Sequence, residues 1–88
     1  MTTPKAEDFR ETLAKLLASA NVMGFFAVDV NAGNLHRQVG GYPGRDHRMP
    51  QCCEVMRQAM SSADEVVDEP PSGQGARLTI RYRLPRST

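Results

Sequence analysis

The sequence predicts one α+β domain, in which two main helices pack on a small antiparallel sheet with a C-terminal β-hairpin. Apolar side chains recur at helical spacing over residues 5–20 and again over residues 50–61, which is typical of helices that pack on a core. Residues 76–84 alternate between apolar and polar side chains, which is typical of a strand with one buried face. With 88 residues, the chain is long enough for one hydrophobic core and too short for two.

The composition is typical of a globular protein, with 40% hydrophobic and 24% charged residues. No apolar run approaches the roughly 20 residues that cross a bilayer, and residues 1–10 lack the layout of a secretory signal. We therefore expect a soluble, cytoplasmic protein without a membrane partner. The adjacent Cys52 and Cys53 cannot form an ordinary disulfide with each other, which agrees with a reducing compartment.

The first helix is expected to begin at Thr3-Pro4, with Thr3 as the N-cap and Pro4 at the first helical position. Asn21 is suited to ending it. The apolar stripe that predicts this helix consists of Phe9, Leu13, Leu16, Leu17 and Ala20. The extreme ends of the chain, residues 1–4 and 85–88, are expected to fray.

Residues 22–30 are mostly apolar, β-branched or aromatic, which predicts a buried strand. Asn31-Ala32-Gly33-Asn34 has the composition of a turn. Residues 35–39 fit either a return strand or one helical turn capped by Asn34. Residues 40–48 contain three glycines and a proline among charged side chains, and they predict an exposed loop.

A second main helix is predicted to start at Pro50 and to end at Ser61-Ser62. Its apolar stripe includes Cys52, Val55, Met56 and Ala59. Asp64–Glu69 and Ala76–Leu84 then predict the two strands of the hairpin, joined by the Pro- and Gly-rich residues 70–75. In the last strand, one face carries Leu78, Ile80, Tyr82 and Leu84, and the other carries Arg77, Thr79, Arg81 and Arg83.

The order of these elements resembles the winged-helix DNA-binding domain. Asp64-Glu65-Val66-Val67, followed by Pro71-Ser72-Gly73-Gln74-Gly75 and Ile80-Arg81-Tyr82, resembles its hairpin wing with a Gly-containing tip. The long predicted strand at residues 22–30 and the glycine-rich loop before the second helix depart from that pattern. The resemblance implies that the second main helix enters the major groove and that the wing contacts the DNA backbone. It places Gln51, Glu54, Arg57 and Gln58 toward bases or phosphates, with Arg45, His47 and Arg48 at the start of the helix.

Nine of the eleven basic residues are arginine, which favours planar, bidentate contact with phosphate or carboxylate. The sequence therefore predicts a small nucleic-acid-binding protein, of the regulator class. Phosphate is expected to be contacted by arginines of the 40–48 loop, helix 50–61 and the C-terminal hairpin. The predicted nucleic-acid or partner contacts are Arg37, Tyr42, Arg45, His47, Arg48, Gln51, Arg57, Arg77, Arg81 and Arg83. A purely structural alternative is that the hairpin arginines form cross-strand ion pairs with Asp64, Glu65, Asp68 and Glu69.

Two other functions are alternatives to nucleic-acid binding. A protein-interaction or inhibitor module would use the glycine-rich loop and the arginine strand to dock on an acidic protein partner, and self-association through helix 5–20 is a further option. An enzyme would use Cys52 or Cys53 with His47, but the sequence offers no third orienting residue. We expect no enzyme activity and no cofactor. We also expect no metal site, because adjacent cysteines have poor zinc-ligand spacing.

Overall fold

The computed structural model describes residues 4–40 and 48–85, which form three helices and a three-stranded antiparallel sheet. In chain order these are α1 (Ala6–Val22), β1 (Ala27–Asn31), α2 (Ala32–Val39), α3 (Met49–Gln58), β2 (Glu65–Asp68) and β3 (Thr79–Arg83). The predicted α+β class, with helices on an antiparallel sheet and a C-terminal hairpin, is confirmed. Within the described ranges, no helix combines the length and apolar character needed to cross a bilayer.

β3 is the central strand of a sheet with the order β1-β3-β2. Val30 lies opposite Ile80 on one side of β3, and Glu65 lies opposite Arg81 on the other. The pairing with β2 is interrupted by a bulge between Val66 and Asp68. The predicted alternation is confirmed, since the inner face of the last strand is buried at Leu78, Ile80, Tyr82 and Leu84. Its arginines consequently lie on the outer face, away from the helices.

The three helices pack on one another and on the inner face of the sheet. α1 contributes a buried stripe of Phe9, Leu13 and Leu17, which follows the predicted helical spacing. From α3, the buried side chains are Met49, Cys52, Cys53, Val55 and Met56. The functional consequence is that α3 has one side in the core and one side in solvent.

The start and the end of α1 differ from the sequence prediction. The N-cap is Lys5, whose backbone N–H donates to Asp8 Oδ2 at 2.8 Å, whereas Thr3 lies outside the described residues. Pro4 is described and is buried. The helix also continues past Asn21 to Val22, because Gly24 closes it in a Schellman motif. In that motif the N–H of Gly24 donates to Asn21 O, and that of Phe25 donates to Ala20 O, each at 3.1 Å.

The strand predicted over residues 22–30 is therefore wrong in its first half, and only Ala27–Asn31 pairs with β3. The turn predicted at residues 31–34 is also wrong. Asn31 is the N-cap of α2, and its side chain accepts the N–H of Asn34 at 3.1 Å. Residues 35–39, which the sequence left open, belong to α2. Gly33 fits a close approach there, because an added Cβ would lie 3.2 Å from Ala76 Cβ and its neighbours would have to shift slightly.

The second predicted main helix is α3, and it ends at Gln58 rather than at Ser61-Ser62. β2 and β3 are each shorter than predicted, so the loop between them spans residues 69–78. Of the predicted loop at residues 40–48, only Gly40 and Arg48 lie within the described residues. Gly40 directly follows α2 and ends it with a φ of 117°, and Arg48 directly precedes α3.

Candidate functional site

The solvent-facing side of α3 is polar. Glu54 and Gln58 are exposed and Gln51 is half-buried, while Arg48 is exposed just before the helix. Gln58 Nε2 donates to Glu54 Oε1 at 3.3 Å, one helical turn apart. These side chains can donate to and accept from a ligand that lies along the helix, but Glu54 places a negative charge in the middle of the surface.

A buried histidine holds the N-terminal end of α3. His36 on α2 is fully buried, and its Nε2 accepts the backbone N–H of Arg48 at 2.7 Å. The ring also meets Phe9 edge-on, with centroids 4.9 Å apart. Because α1, α2 and the start of α3 all meet at this ring, the imidazole fixes where α3 begins relative to α2.

The β2–β3 loop is fastened to α3 by two residues. Arg57 Nη2 lies 2.7 Å from both Glu69 Oε2 and the carbonyl oxygen of Gly73, and it donates to both. One turn earlier, Cys53 Sγ donates to the carbonyl oxygen of Gly75 at 3.5 Å and accepts its N–H at 3.4 Å. Charge-assisted bonds from a guanidinium are among the stronger hydrogen bonds in proteins. The loop is therefore held in a defined position beside α3.

The outer face of the sheet carries matched charges. Arg81 on the central strand forms a two-pronged contact with Asp29 of β1, with Nε–Oδ1 at 2.8 Å and Nη2–Oδ2 at 3.1 Å. Its Nη1 also lies 3.4 Å from Glu65 Oε1 of β2, and Arg83 shares that carboxylate at 3.5 Å. The hydrogen bond from Arg81 holds the pKa of Asp29 below its ordinary value and raises the pKa of the guanidinium itself. The predicted cross-strand ion pairs are thus confirmed at Glu65 and at Asp68, which pairs with Arg77, whereas Glu69 pairs with Arg57 of α3. Asp29 is an additional partner.

The sequence-predicted contact residues do not gather on one surface. Arg37, Arg48 and Gln51 lie on or beside the α2–α3 pair, whereas Arg81 and Arg83 lie on the outer face of the sheet. Arg57 is committed to the β2–β3 loop, and Arg77 lies 3.3 Å from Asp68 Oδ1. Three predicted residues, Tyr42, Arg45 and His47, lie outside the described residues. The arginines of the hairpin therefore pair with carboxylates of the sheet and lie apart from the α2–α3 side.

The two cysteines are free thiols, and both are fully buried. Burial raises the pKa of Cys52 to about 12, with a smaller contribution from Cys53, and burial also raises the pKa of Cys53. A nucleophilic cysteine needs a low pKa and access to substrate, and neither thiol has these properties. Among residues 4–40 and 48–85, no three His, Cys, Asp or Glu side chains are grouped so as to hold a metal ion.

Sequence reasoning missed an exposed apolar surface, which we call the apolar turn. It consists of Val22, Met23, Phe25 and Phe26, at the end of α1 and in the connection to β1, which are 87%, 72%, 52% and 84% exposed. A shallow groove of about 360 Å³ lies beside it, lined by Ala18, Ser19, Val22 and Met23. The signal in the sequence was Gly24, which is suited to ending a helix in the middle of the segment that was predicted as a strand.

Comparison of the chain with protein-family models, with curated proteins and with solved structures returned no match.

Proposed function

We propose that the chain is a nucleic-acid-binding module of the winged-helix type, in which α3 is the recognition helix and the β2–β3 loop is the wing. The observation that carries the proposal is the attachment of this loop to α3 through Arg57 and Cys53. The order of elements supports it too, because two helices in mutual contact precede a hairpin whose second strand also pairs with β1. A helix that reads a groove must be held rigidly relative to the elements that contact the phosphates.

In this proposal the contacts come from the α2–α3 side of the molecule. Arg37 and Arg48 would contact phosphate, and Gln51 would reach a base edge from the first turn of α3. Tyr42, Arg45 and His47 belong to the proposal on sequence grounds. Glu54 restricts which bases can face the middle of the helix, since a carboxylate accepts from the amino group of cytosine and repels phosphate.

The hairpin arginines are left out of the proposed contacts. Arg77, Arg81 and Arg83 each lie within 3.5 Å of a carboxylate, so a phosphate would have to displace an existing ion pair. Their proposed role is to hold the three strands together. The proposal also includes that the protein is a cytoplasmic regulator that binds its ligand without catalysis. The two buried, free thiols agree with a reducing compartment.

The test is a fluorescence-anisotropy titration of duplex DNA, single-stranded DNA and duplex RNA at low and moderate salt. Binding near micromolar concentration that weakens as salt rises is expected, because each phosphate contact releases counterions. The Arg48→Gln variant should bind more weakly on all sequences and lower the salt slope by about 1. Arg10→Gln, which removes the same charge from the exposed side of α1, is the matched control and should bind like the wild type.

Two results would count against this proposal. Absence of binding to all three nucleic acids at low salt would reject it, because nonspecific phosphate contacts are strongest there. Capture of one stoichiometric acidic protein from nuclease-treated native lysate would favour the interaction module instead.

A further inference from the structure

The apolar turn has the area of the largest apolar patches found on single chains. An aromatic side chain contributes about 150–250 Å² when buried, so two phenylalanines, a valine and a methionine at these exposures present on the order of 500 Å². Apolar patches of about 300–600 Å² on single chains are often functional, and larger ones mark association sites. Leaving such a surface in water costs free energy in proportion to its area.

The surface contains both a projection and a recess. Phe26 is 84% exposed, and the groove is lined by Ala18, Ser19 and Val22 of α1 together with Met23. Ala18 and Ser19 are small, so an aromatic ring can come close to the helix at that point. A two-fold interface uses the same patch on both subunits, and it therefore needs a surface that is complementary to itself.

The charges around this surface favour a second copy over a charged partner. The sequence contains no charged residue from Leu16 to Val28. The nearest charges before it on α1 are Lys15 and Glu11, which pair with each other at 3.1 Å. Two identical surfaces bring like charges together, and a surface without net charge avoids that repulsion. An acidic protein or an anionic membrane would find no complementary charge within this segment.

We propose that a second copy of this chain covers the apolar turn, forming a two-fold dimer in which Phe26 of each protomer enters the groove of the other. The apolar turns alone would bury on the order of 1,000 Å² in total, and the exposed side of α1 around the groove adds to that area. Stable, specific interfaces bury about 1,200–2,000 Å², so a contact on the order of 1,000 Å² belongs with weak, transient associations, and the dimer is expected only at high protein concentration. The dimer does not depend on nucleic-acid binding.

Sedimentation velocity on the full chain tests the dimer, from about 1 µM to about 500 µM, where a small interface is expected to associate. Wild type should shift from monomer to dimer over this range. Phe26→Asp should raise the dissociation constant at least about 30-fold, which is the effect of removing a central interface residue. Val22→Lys supplies a second, independent variant on the solvent side of α1. Val67→Asp is the matched control, because Val67 on β2 is also exposed and apolar but lies outside the apolar turn.

Circular dichroism spectra like that of the wild type confirm that the variants fold, as is expected for substitutions at exposed positions. A dimer lost in Phe26→Asp and Val22→Lys and retained in Val67→Asp supports the proposal. A monomer throughout the range overturns it, as does a dimer that neither variant weakens. Co-sedimentation of a monomeric wild type with phosphatidylcholine vesicles also overturns it, in favour of a lipid surface. Because the dimer does not depend on nucleic-acid binding, anisotropy titrations of nucleic acid with the same variants test the proposed function separately from the dimer.

Discussion

Replacing Tyr82 with phenylalanine tests how α3 is held on the sheet. Tyr82 lies on the central strand, is fully buried, and donates its hydroxyl hydrogen to the carbonyl oxygen of Met56 at 2.7 Å. This carbonyl lies in the last turn of α3, where helical acceptors lose their usual donors four residues on. The N–H of Ala59 donates to Val55 O, and that of Met60 donates to Arg57 O. The tyrosine hydroxyl therefore satisfies the carbonyl oxygen of Met56, whose usual donor, the N–H of Met60, donates to Arg57 O instead.

The cost of the substitution follows from this geometry. Phenylalanine keeps the ring in the core, so no cavity forms, and only the hydrogen bond is lost. Met56 is fully buried, so water cannot readily replace the hydroxyl. Removing one partner of a buried hydrogen bond costs about 1–3 kcal/mol, and we expect about 2 kcal/mol here. In a domain of this size that loss lowers Tm by about 8–16 °C.

The assay is urea unfolding followed by circular dichroism, with the free energy of unfolding obtained by linear extrapolation. The midpoint should fall while the m value stays unchanged, because the surface exposed on unfolding is the same. Thr79→Val is the control, since it removes a hydroxyl from the outer, solvent-facing side of the same strand, where water can take over its bonds. If Tyr82→Phe costs no more than Thr79→Val, the hydroxyl does not compensate the helix carbonyl and this reasoning is wrong.

Three further predictions concern the loop, a thiol and a surface carboxylate. Arg57→Met removes the donors to Glu69 and Gly73, so limited proteolysis should cut the β2–β3 loop several-fold faster, and an unchanged rate would contradict the proposed attachment. Burial raises the pKa of Cys52 above its unfolded value of 9.0, so the free energy of unfolding should fall as pH rises from 9.0 toward about 12. Urea midpoints measured across pH 9.0 would show this fall, and the native protein should resist alkylation. The pKa of Asp29 is lowered below 3.8, so the stabilisation by its carboxylate is present above pH 3.8 and lost as pH falls through its folded pKa. Asp29→Asn should therefore make the free energy of unfolding depend less steeply on pH in acid. Equal pH dependence for variant and wild type would contradict this.

The elements with strong periodicity were predictable. The last strand alternates so regularly that its buried and exposed faces follow from the sequence alone, and the stripe on α3 identifies Cys52 and Met56 as core residues. In both cases the side chains that face the core repeat with the period of the element. The boundaries were less certain, because the ends of strands depend on which neighbour they pair with.

The segment around Phe25 and Phe26 shows why local composition was not enough. Aromatic and β-branched residues favour a strand, but a strand also needs a partner, and within residues 22–31 only Ala27–Asn31 pairs with β3. The preceding residues are claimed by the Schellman motif at Gly24. The phenylalanines are exposed because the helix-ending motif at Gly24 forms in place of a longer strand, and a short window of sequence does not show which of the two structures forms.

The charge pairs were predictable only in part. Glu65 and Arg81 lie on the two strands of one hairpin, so their pairing follows from the hairpin itself. Asp29 meets Arg81 only because β1 adds to the other side of β3, and the two residues are 52 positions apart. The burial of His36 and its bond to Arg48 likewise depend on how α2 and α3 pack, for which the sequence carries no local pattern.

The attachments of α3 explain why its exposed side can act as a fixed surface. His36 binds its N-cap residue Arg48, Tyr82 binds its last turn, and Arg57 and Cys53 join it to the β2–β3 loop. These contacts involve three other elements, α2, β3 and the β2–β3 loop, so moving α3 requires breaking several of them together. A ligand that binds along α3 would then pay little conformational entropy to order the protein, which favours affinity. Tyr82→Phe and Arg57→Met should therefore weaken nucleic-acid binding without removing any phosphate contact, while the salt slope stays unchanged. A lowered salt slope in either variant would mean that the residue contacts the ligand itself.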